Sequence, residues 1–263
     1  MCGRAEPPSV RDMDTTNDTL PARTAVVTGA SRGLGRALAA WLTGAGYALV
    51  IDARDPAALT AARVTLQASG PGAPIVAVPG DITDPAHRHA LVRAAGTLGG
   101  ADLLVNNAGT LGVSPRPAIA DYPLAGLRDA FEVNVVAPVA LTQALLPALR
   151  RRGGAVLNIT SDAATAAYAG WGGYGAVKAA LEQASNVLAA EENTIRVWWV
   201  DPGDLRTKLH ADAFPGEDIS DRPRPEDVIP GFGALISGRL PSGRYRAADL
   251  IPAAPLPPPV PSR

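Results

Sequence analysis

Two residues in the segment GWGGYGAVKAAL, residues 170–181, have the types and spacing for proton transfer. Tyr174 and Lys178 stand four apart, so on a helix they share a face. A phenol with a reference pKa of about 10 is a poor acid or base at neutral pH. An ammonium group one turn away favours phenolate, which predicts a depressed phenol pKa. The same pair is also common on solvated helix surfaces, so the rest of the chain must decide.

The elements around this pair alternate. TAVVT (24–28), ALVID (48–52), PIVAV (74–78), DLLVN (102–106), AVLNIT (155–160) and IRVWWV (195–200) are short apolar runs with little alternation. That pattern suits strands buried on both faces of a parallel sheet. Between the first two, Leu38, Trp41, Leu42 and Ala45 repeat at helical spacing before Gly44 and Gly46. In DITDPAHRHALVRAAG, Asp84 and Pro85 predict an N-cap and first helical position. Six β–α repeats without a linker predict one doubly wound α/β domain over 23–250. Its ligand site should lie at the carboxyl ends of the strands.

The first strand runs straight into GASRGLGRALAAWL. Gly29, Gly33 and Gly35 fall in the turn and at the helix start. Glycine there permits positive φ and close approach of a pyrophosphate, and a helix N-terminus offers free N–H groups. The spacing G-x3-G-x-G differs from the general dinucleotide fingerprint. An ordinary tight turn is the alternative.

TGASRGLG, NNAG at 106–109 and Tyr174-x3-Lys178 together resemble the short-chain dehydrogenase/reductase family in its roughly 250-residue form. Asn134 precedes Ser161 by 27 residues and Ser161 precedes Tyr174 by 13, spacings similar to that family's Asn-Ser-Tyr-Lys tetrad. The resemblance implies a Rossmann-like sheet in the order 3-2-1-4-5-6-7 with helices on both faces. It implies catalytic Asn134, Ser161, Tyr174 and Lys178. Tyr174 is then the acid/base, with its pKa lowered by Lys178, which also binds the nicotinamide ribose. Ser161 holds the substrate oxygen, and Asn134 breaks a long helix and positions a water leading to Lys178. For the cofactor it implies Gly29, Ser31, Arg32, Gly33, Leu34 and Gly35 in the turn, and Asp81 and Ile82 at the adenine. It adds Asn106 or Asn107 with Ala108 and Gly109 at the adenine ribose, and Pro202, Gly203 and Thr207 at the nicotinamide. The implied activity is NADP(H)-dependent reduction of a carbonyl or its reverse. A non-redox lyase or isomerase, or a nucleotide-sensing protein, is the competing expectation.

The second strand carries the choice of dinucleotide. In ALVIDARDP, Ala53 takes the family's acidic position and Arg54 follows. With Arg32 in the turn, two guanidinium groups favour a 2′-phosphate and so NADP(H). A one-residue shift would make Asp52 the selector and the cofactor NAD(H).

Composition limits the remaining classes. A net charge of −1 gives no electrostatic footprint for nucleic acid or anionic membrane. Cys2 is the single cysteine, so no intrachain disulfide forms. His87, His89 and His210 are too scattered for a metal site and read as surface residues. No uninterrupted apolar run approaches the roughly 18 residues of a membrane span. The polar residues 1–22 (Met13 being a possible start) lack a signal-peptide core and read as a disordered extension; 251–263 read as a Pro-rich tail. A cytoplasmic enzyme is expected. Leu205, Leu209, His210, Phe214, Tyr168 and Trp171 are candidate pocket residues, but nothing names the substrate beyond a small carbonyl or alcohol. The stretches 121–150 and 174–190 resemble the family's two oligomer helices and imply a homodimer or homotetramer. Along the second, Val177, Leu181, Ala184 and Leu188 could instead cover the sheet. Pro230 and two nearby glycines predict a weak penultimate helix before an abbreviated last strand.

Overall fold

Seven strands pair in the order β3-β2-β1-β4-β5-β6-β7, all parallel. The computed structural model describes residues 23–70 and 72–251. The expected N-terminal extension, and the Pro-rich tail beyond Ile251, lie outside the described residues. The strands are β1 (Thr24–Val27), β2 (Ala48–Ala53), β3 (Ile75–Pro79), β4 (Leu103–Asn106), β5 (Ala155–Ile159), β6 (Arg196–Asp201) and β7 (Gly243–Arg246). The helices are α1 (Gly33–Gly44), α2 (Pro56–Ala68), α3 (Pro85–Thr97), α4 (Leu124–Phe131), α5 (Ala137–Arg152), α6 (Gly172–Glu191), α7 (Lys208–Ala213) and α8 (Ile229–Gly238).

The apolar runs do not alternate because both faces of the sheet are covered. Val26 is in register with Val50 and Leu104, and Leu104 with Val156. This row packs against Leu91 of α3 and Leu141, Leu145 and Leu149 of α5. The intervening residues Val27, Leu49, Ile51, Val105 and Leu157 pack against Leu38 and Leu42 of α1 and Phe232 and Leu235 of α8. Slipping one strand by a residue would exchange these rows.

Asp84 caps α3 by accepting from the Ala86 N–H at 2.8 Å, with Pro85 in the first turn, as the sequence predicts. The penultimate helix also forms. Pro230 lies in the first turn of α8, where its missing N–H has no intrahelical role. Gly231 is a packing requirement: a Cβ there would stand 2.0 Å from the Ala247 carbonyl oxygen. Propensity mistook this close approach for a weakness.

From Leu124 to Arg152 one helical path runs through α4, a five-residue π segment (Glu132–Val136) and α5. By length and composition it could cross a membrane. In this fold its Ala137, Leu141, Leu145 and Leu149 face the core. In the apolar repeat of α6, Leu188 packs on the cluster that holds Val156 and Val197 of the sheet, whereas buried Val177 belongs to the cluster around Tyr174 and Leu181 is buried too.

Candidate active site

The first βα turn leads into a helix start that no side chain caps. Gly29 sits at φ +67°, and a Cβ would meet the Ala108 backbone at 3.0 Å. A Cβ on Gly35 would come within 2.4 Å of Gly29 O and Asn107 Nδ2. The turn is held from behind. Thr28 Oγ1 accepts the N–H groups of Asn107 and Ala108, and Asn107 Nδ2 donates to Thr28 O at 2.8 Å and Gly29 O at 3.2 Å. Whereas α2 and α3 are capped by Asp55 and Asp84, α1 has Arg32 at its N-cap position, no side-chain cap and no acidic residue in its first turn. An uncapped N-terminus behind a rigid glycine turn fits a phosphate group. Ser31 and Gly33 are half-buried there and Leu34 is in the core.

Asp52 is committed elsewhere. Its Oδ1 accepts from Gly29 N–H at 2.7 Å, its Oδ2 lies 3.0 Å from His87 Nε2, and it is 2% exposed. Buried and doubly bonded, it ties the glycine turn to α3. Ala53 is half-buried and Arg54 and Arg32 are exposed. The expectation that His87 is a surface residue is therefore wrong, and His210 is buried too. The error came from scoring imidazoles by type: each had a carboxylate nearby in space, Asp52 for His87 and Asp204 for His210, that linear spacing does not reveal. Among the described residues no group of three or more metal-ligating side chains occurs.

Asp81 is exposed and closes its own turn by accepting from Thr83 N–H and Oγ1. These bonds, chiefly the backbone one, lower its pKa, and nearby Arg54 adds to the effect. Ile82 beside it is buried. Of the two Asn residues in NNAG, Asn106 is structural. It donates to Asn158 Oδ1 (2.8 Å) and Thr142 Oγ1 (3.3 Å), and Asn158 donates to Ser185. That buried chain joins α5, β4, β5 and α6.

The four candidate catalytic residues come from three elements at the carboxyl edge of the sheet. Asn134 lies in the π segment. Its Nδ2 donates to Thr110 O and Ala130 O, and its Oδ1 accepts from Thr110 N–H. The helix widens at the predicted residue, as π segments at functional positions do. A Cβ at Gly109 would stand 2.9 Å from Asn134 Oδ1 and 3.8 Å from Lys178 Nζ, so these three converge. Ser161, just beyond β5, donates to Asp162 Oδ1 at 3.0 Å and accepts from Ala163 N–H at 3.2 Å. Tyr174 and Lys178 lie in the first turns of α6, both buried.

Their electrostatics differ from the expectation. The Tyr174 phenol is pushed well above its usual range, first by burial and then by the Asp201 and Asp162 carboxylates. Lys178 does not lower it. Its Nζ donates to Ile159 O at 2.9 Å, lies 5.5 Å from the Tyr174 ring centroid, and burial pushes its own pKa down to about 8. Helical spacing correctly put the two on one face, but it cannot express desolvation of either group. Asp201 was also missed. Buried at the end of β6, it has its pKa raised by burial, partly offset by the Gly203 N–H at 2.9 Å and by Arg244 and Arg246. Its effect on Tyr174 depends on a strand and a helix meeting, which no local motif encodes.

Beyond β6, Pro202 is half-buried and Gly203 has φ +75°. Thr207 caps α7 by accepting from His210 N–H, and its methyl would lie 3.6 Å from a Cβ on Gly33. The candidate nicotinamide segment thus reaches the glycine turn. Of the candidate pocket residues, Leu205 belongs to the core. Leu209, Phe214 and Trp171 pack around Tyr174, while Tyr168 is exposed and donates to Asp162 Oδ2.

Known proteins share this fold. A family model described as short chain dehydrogenase matches residues 23–218. The rhamnolipids-biosynthesis 3-oxoacyl-[acyl-carrier-protein] reductase of Pseudomonas aeruginosa is 39% identical over 184 residues, covering 66% of this chain and 68% of that protein. Sepiapterin reductase of Bos taurus is 39% identical over 196 residues, covering 70% and 73%. A short-chain dehydrogenase structure from Shigella flexneri, complexed with NADP, superposes with TM-score 0.80 at 29% identity, covering 86% of this chain and 97% of that one. One from Escherichia coli, complexed with NADPH, gives 0.79 at 30%, covering 86% and 96%. The chain belongs to the short-chain dehydrogenase family and is an oxidoreductase of that class.

Proposed function

We propose that the protein is an NADP(H)-dependent carbonyl reductase, reversible as an alcohol dehydrogenase, with Tyr174 as its acid/base. The observation that carries this reading is the convergence of Asn134 and Lys178 on Gly109, with the Tyr174 ring centroid 5.5 Å from Lys178 Nζ and neighbouring Ala108 against Gly29 of the glycine turn. Gly29, Ser31, Arg32, Gly33, Leu34 and Gly35 would hold the pyrophosphate end. Asp81, Ile82, Asn107, Ala108 and Gly109 would line the adenosine end, and Pro202, Gly203 and Thr207 the nicotinamide end, with Lys178 at its ribose. When bound, the dinucleotide supplies or accepts the hydride. Ser161 turns from Asp162 to the substrate oxygen and fixes it near the phenol. Tyr174 then donates its proton as negative charge develops on that oxygen, completing the alcohol. Lys178 keeps its ammonium group in the buried site, held by Ile159 O, and Asn134 holds the backbone around Thr110.

Nicotinamide absorbance followed against a panel of ketones and alcohols tests the reading. The expected result is net oxidation of NADPH with alcohol formed. Product without an absorbance change would make the protein a lyase or isomerase instead.

The NADP(H) preference is supported by Asp52, whose carboxylate is already occupied, and by exposed Arg32 and Arg54. A charge-assisted contact is worth about 1.5–3 kcal/mol. Arg54→Ala should therefore weaken NADPH roughly tenfold or more, with little change for NADH, in a titration of cofactor fluorescence. Equal losses for both cofactors would remove Arg54 from the 2′-phosphate.

A homodimer or homotetramer in the cytoplasm belongs to the same reading. Val136 in the π segment and Val187 on α6 are 45% and 43% exposed, on faces turned away from the sheet. Light scattering at micromolar concentration should give at least twice the mass of one chain. The mass of a single chain would refute this assembly.

A further inference from the structure

Three loops meet at one guanidinium beside the candidate active site. Arg116, in the segment between β4 and α4, has its Cζ 3.9 Å from the Trp171 ring centroid and 4.6 Å from that of Phe214. Trp171 precedes α6 and stands edge-on to Tyr174, with ring centroids 5.7 Å apart. Phe214 follows α7 and packs on both Trp171 and buried His210. Arg116 Nε donates to Ala213 O at 2.9 Å, and Ser114 Oγ donates to Asp212 O at 2.7 Å. Both acceptors lie in the last turn of α7, where carbonyls lose their intrahelical partners. A cation there also opposes the negative end of the helix. Arg116 Nη1 is shut off from solvent and has no hydrogen-bond acceptor among the described residues, and the guanidinium carbon stands over two rings. A cation–π contact gains strength under such desolvation. Glu217 adds electrostatic attraction.

We propose that Arg116 is a positioning residue. It latches α7 onto Trp171 and thereby assembles the wall next to Tyr174 before any substrate arrives. A six-residue helix is too short to be stable on propensity alone. The latch supplies what α7 lacks and couples its position to the ring that abuts the candidate acid/base. The consequence for substrate handling rests on the reductase reading above; the latch itself does not.

The experiment compares Arg116→Ala, Arg116→Lys and Ser114→Ala in the full chain. Amide hydrogen exchange over 208–214 is read first, with no substrate present. Arg116→Ala should speed it about tenfold, the size of one desolvated cation–π contact. Ser114→Ala should speed it less. Arg116→Lys should fall between wild type and Arg116→Ala, since an ammonium keeps the charge but not the planar stack. Exchange over 29–36, in the glycine turn, should not change. In steady state, on a carbonyl substrate that wild type reduces, Arg116→Ala should raise KM about tenfold with a smaller change in kcat. Lysine should recover part of that loss. Unchanged exchange over 208–214 in Arg116→Ala overturns the latch, as does equal acceleration in the glycine turn. Should that variant not fold, Ser114→Ala and Arg116→Lys decide the latch by the same exchange readout. Faster exchange with unchanged KM overturns the positioning role. If wild type reduces no carbonyl, the reductase reading fails, and the exchange data still decide the latch.

Discussion

Tyr174→Phe should lower turnover by at least about 10²-fold, the lower end for loss of a general acid. Its effect on folding should be small. The ring is buried with Leu111, Ala163 and Val177 around it, and phenylalanine keeps that packing. The side chain's neighbours also set a direction for the pH dependence. Burial, Asp201 and Asp162 all raise the phenol's pKa. A raised pKa means less phenolate at any given pH, so Tyr174 is a proton donor throughout the neutral range. Reduction should then run at a nearly constant rate from pH 6 to pH 7.5. Alcohol oxidation, which needs the base form, should climb with pH over the same interval. Initial rates in both directions check this, with cofactor saturating. If Tyr174→Phe turns over a substrate that the wild type reduces at a comparable rate, the proton comes from elsewhere and the proposed role falls.

The contrast between these electrostatics and the expected ones marks where sequence reasoning stops. Strands were legible because a parallel sheet covered on both faces demands unbroken apolar runs, and Val26, Val50, Leu104 and Val156 supply them in register. The glycine turn and the π segment at Asn134 were legible because each motif is local or keeps a fixed spacing in the resembling family. What was not legible came from distance along the chain. Asp52 reads as a candidate ribose acceptor until Gly29, 23 residues earlier, and His87, 35 later, are found on its two oxygens. Gly231 reads as a helix breaker until the backbone of Ala247 is found against it. No local motif marks Arg116, on which Trp171 and Phe214 close in the fold. Each is a tertiary contact overriding a local preference. The same holds for the Tyr174–Lys178 pair: spacing located it, but burial determines how its two protons behave.

Lys178→Met should abolish the proposed catalysis and stabilise the cofactor-free protein at neutral pH. Burial lowers the ammonium's pKa from 10.5 to about 8. At about 1.4 kcal/mol per pK unit, holding that charge inside the fold costs on the order of 3 kcal/mol. The hydrogen bond to Ile159 O offsets part of this, and its loss leaves one carbonyl without a donor in the variant. Methionine fills a similar volume without a charge. The pH dependence separates this account from a simple packing effect. In the unfolded chain Lys178 keeps its proton up to about pH 10.4, whereas in the folded protein it loses it near pH 8. Between those values the unfolded state binds more protons, so the lysine's contribution to stability improves as pH rises. Below pH 8 the penalty is fully present. The difference in unfolding free energy between Lys178→Met and wild type should therefore be greatest at pH 7 and shrink steadily towards pH 10, in urea titrations at matched salt. A difference that stays constant over that range would mean Lys178 carries no depressed pKa. Saturating cofactor should also narrow the gap at pH 7, because the ammonium then gains hydroxyl partners that the methionine cannot use. A stability cost relieved by the ligand is what a binding residue should show, and a lysine retained only for packing would not show it.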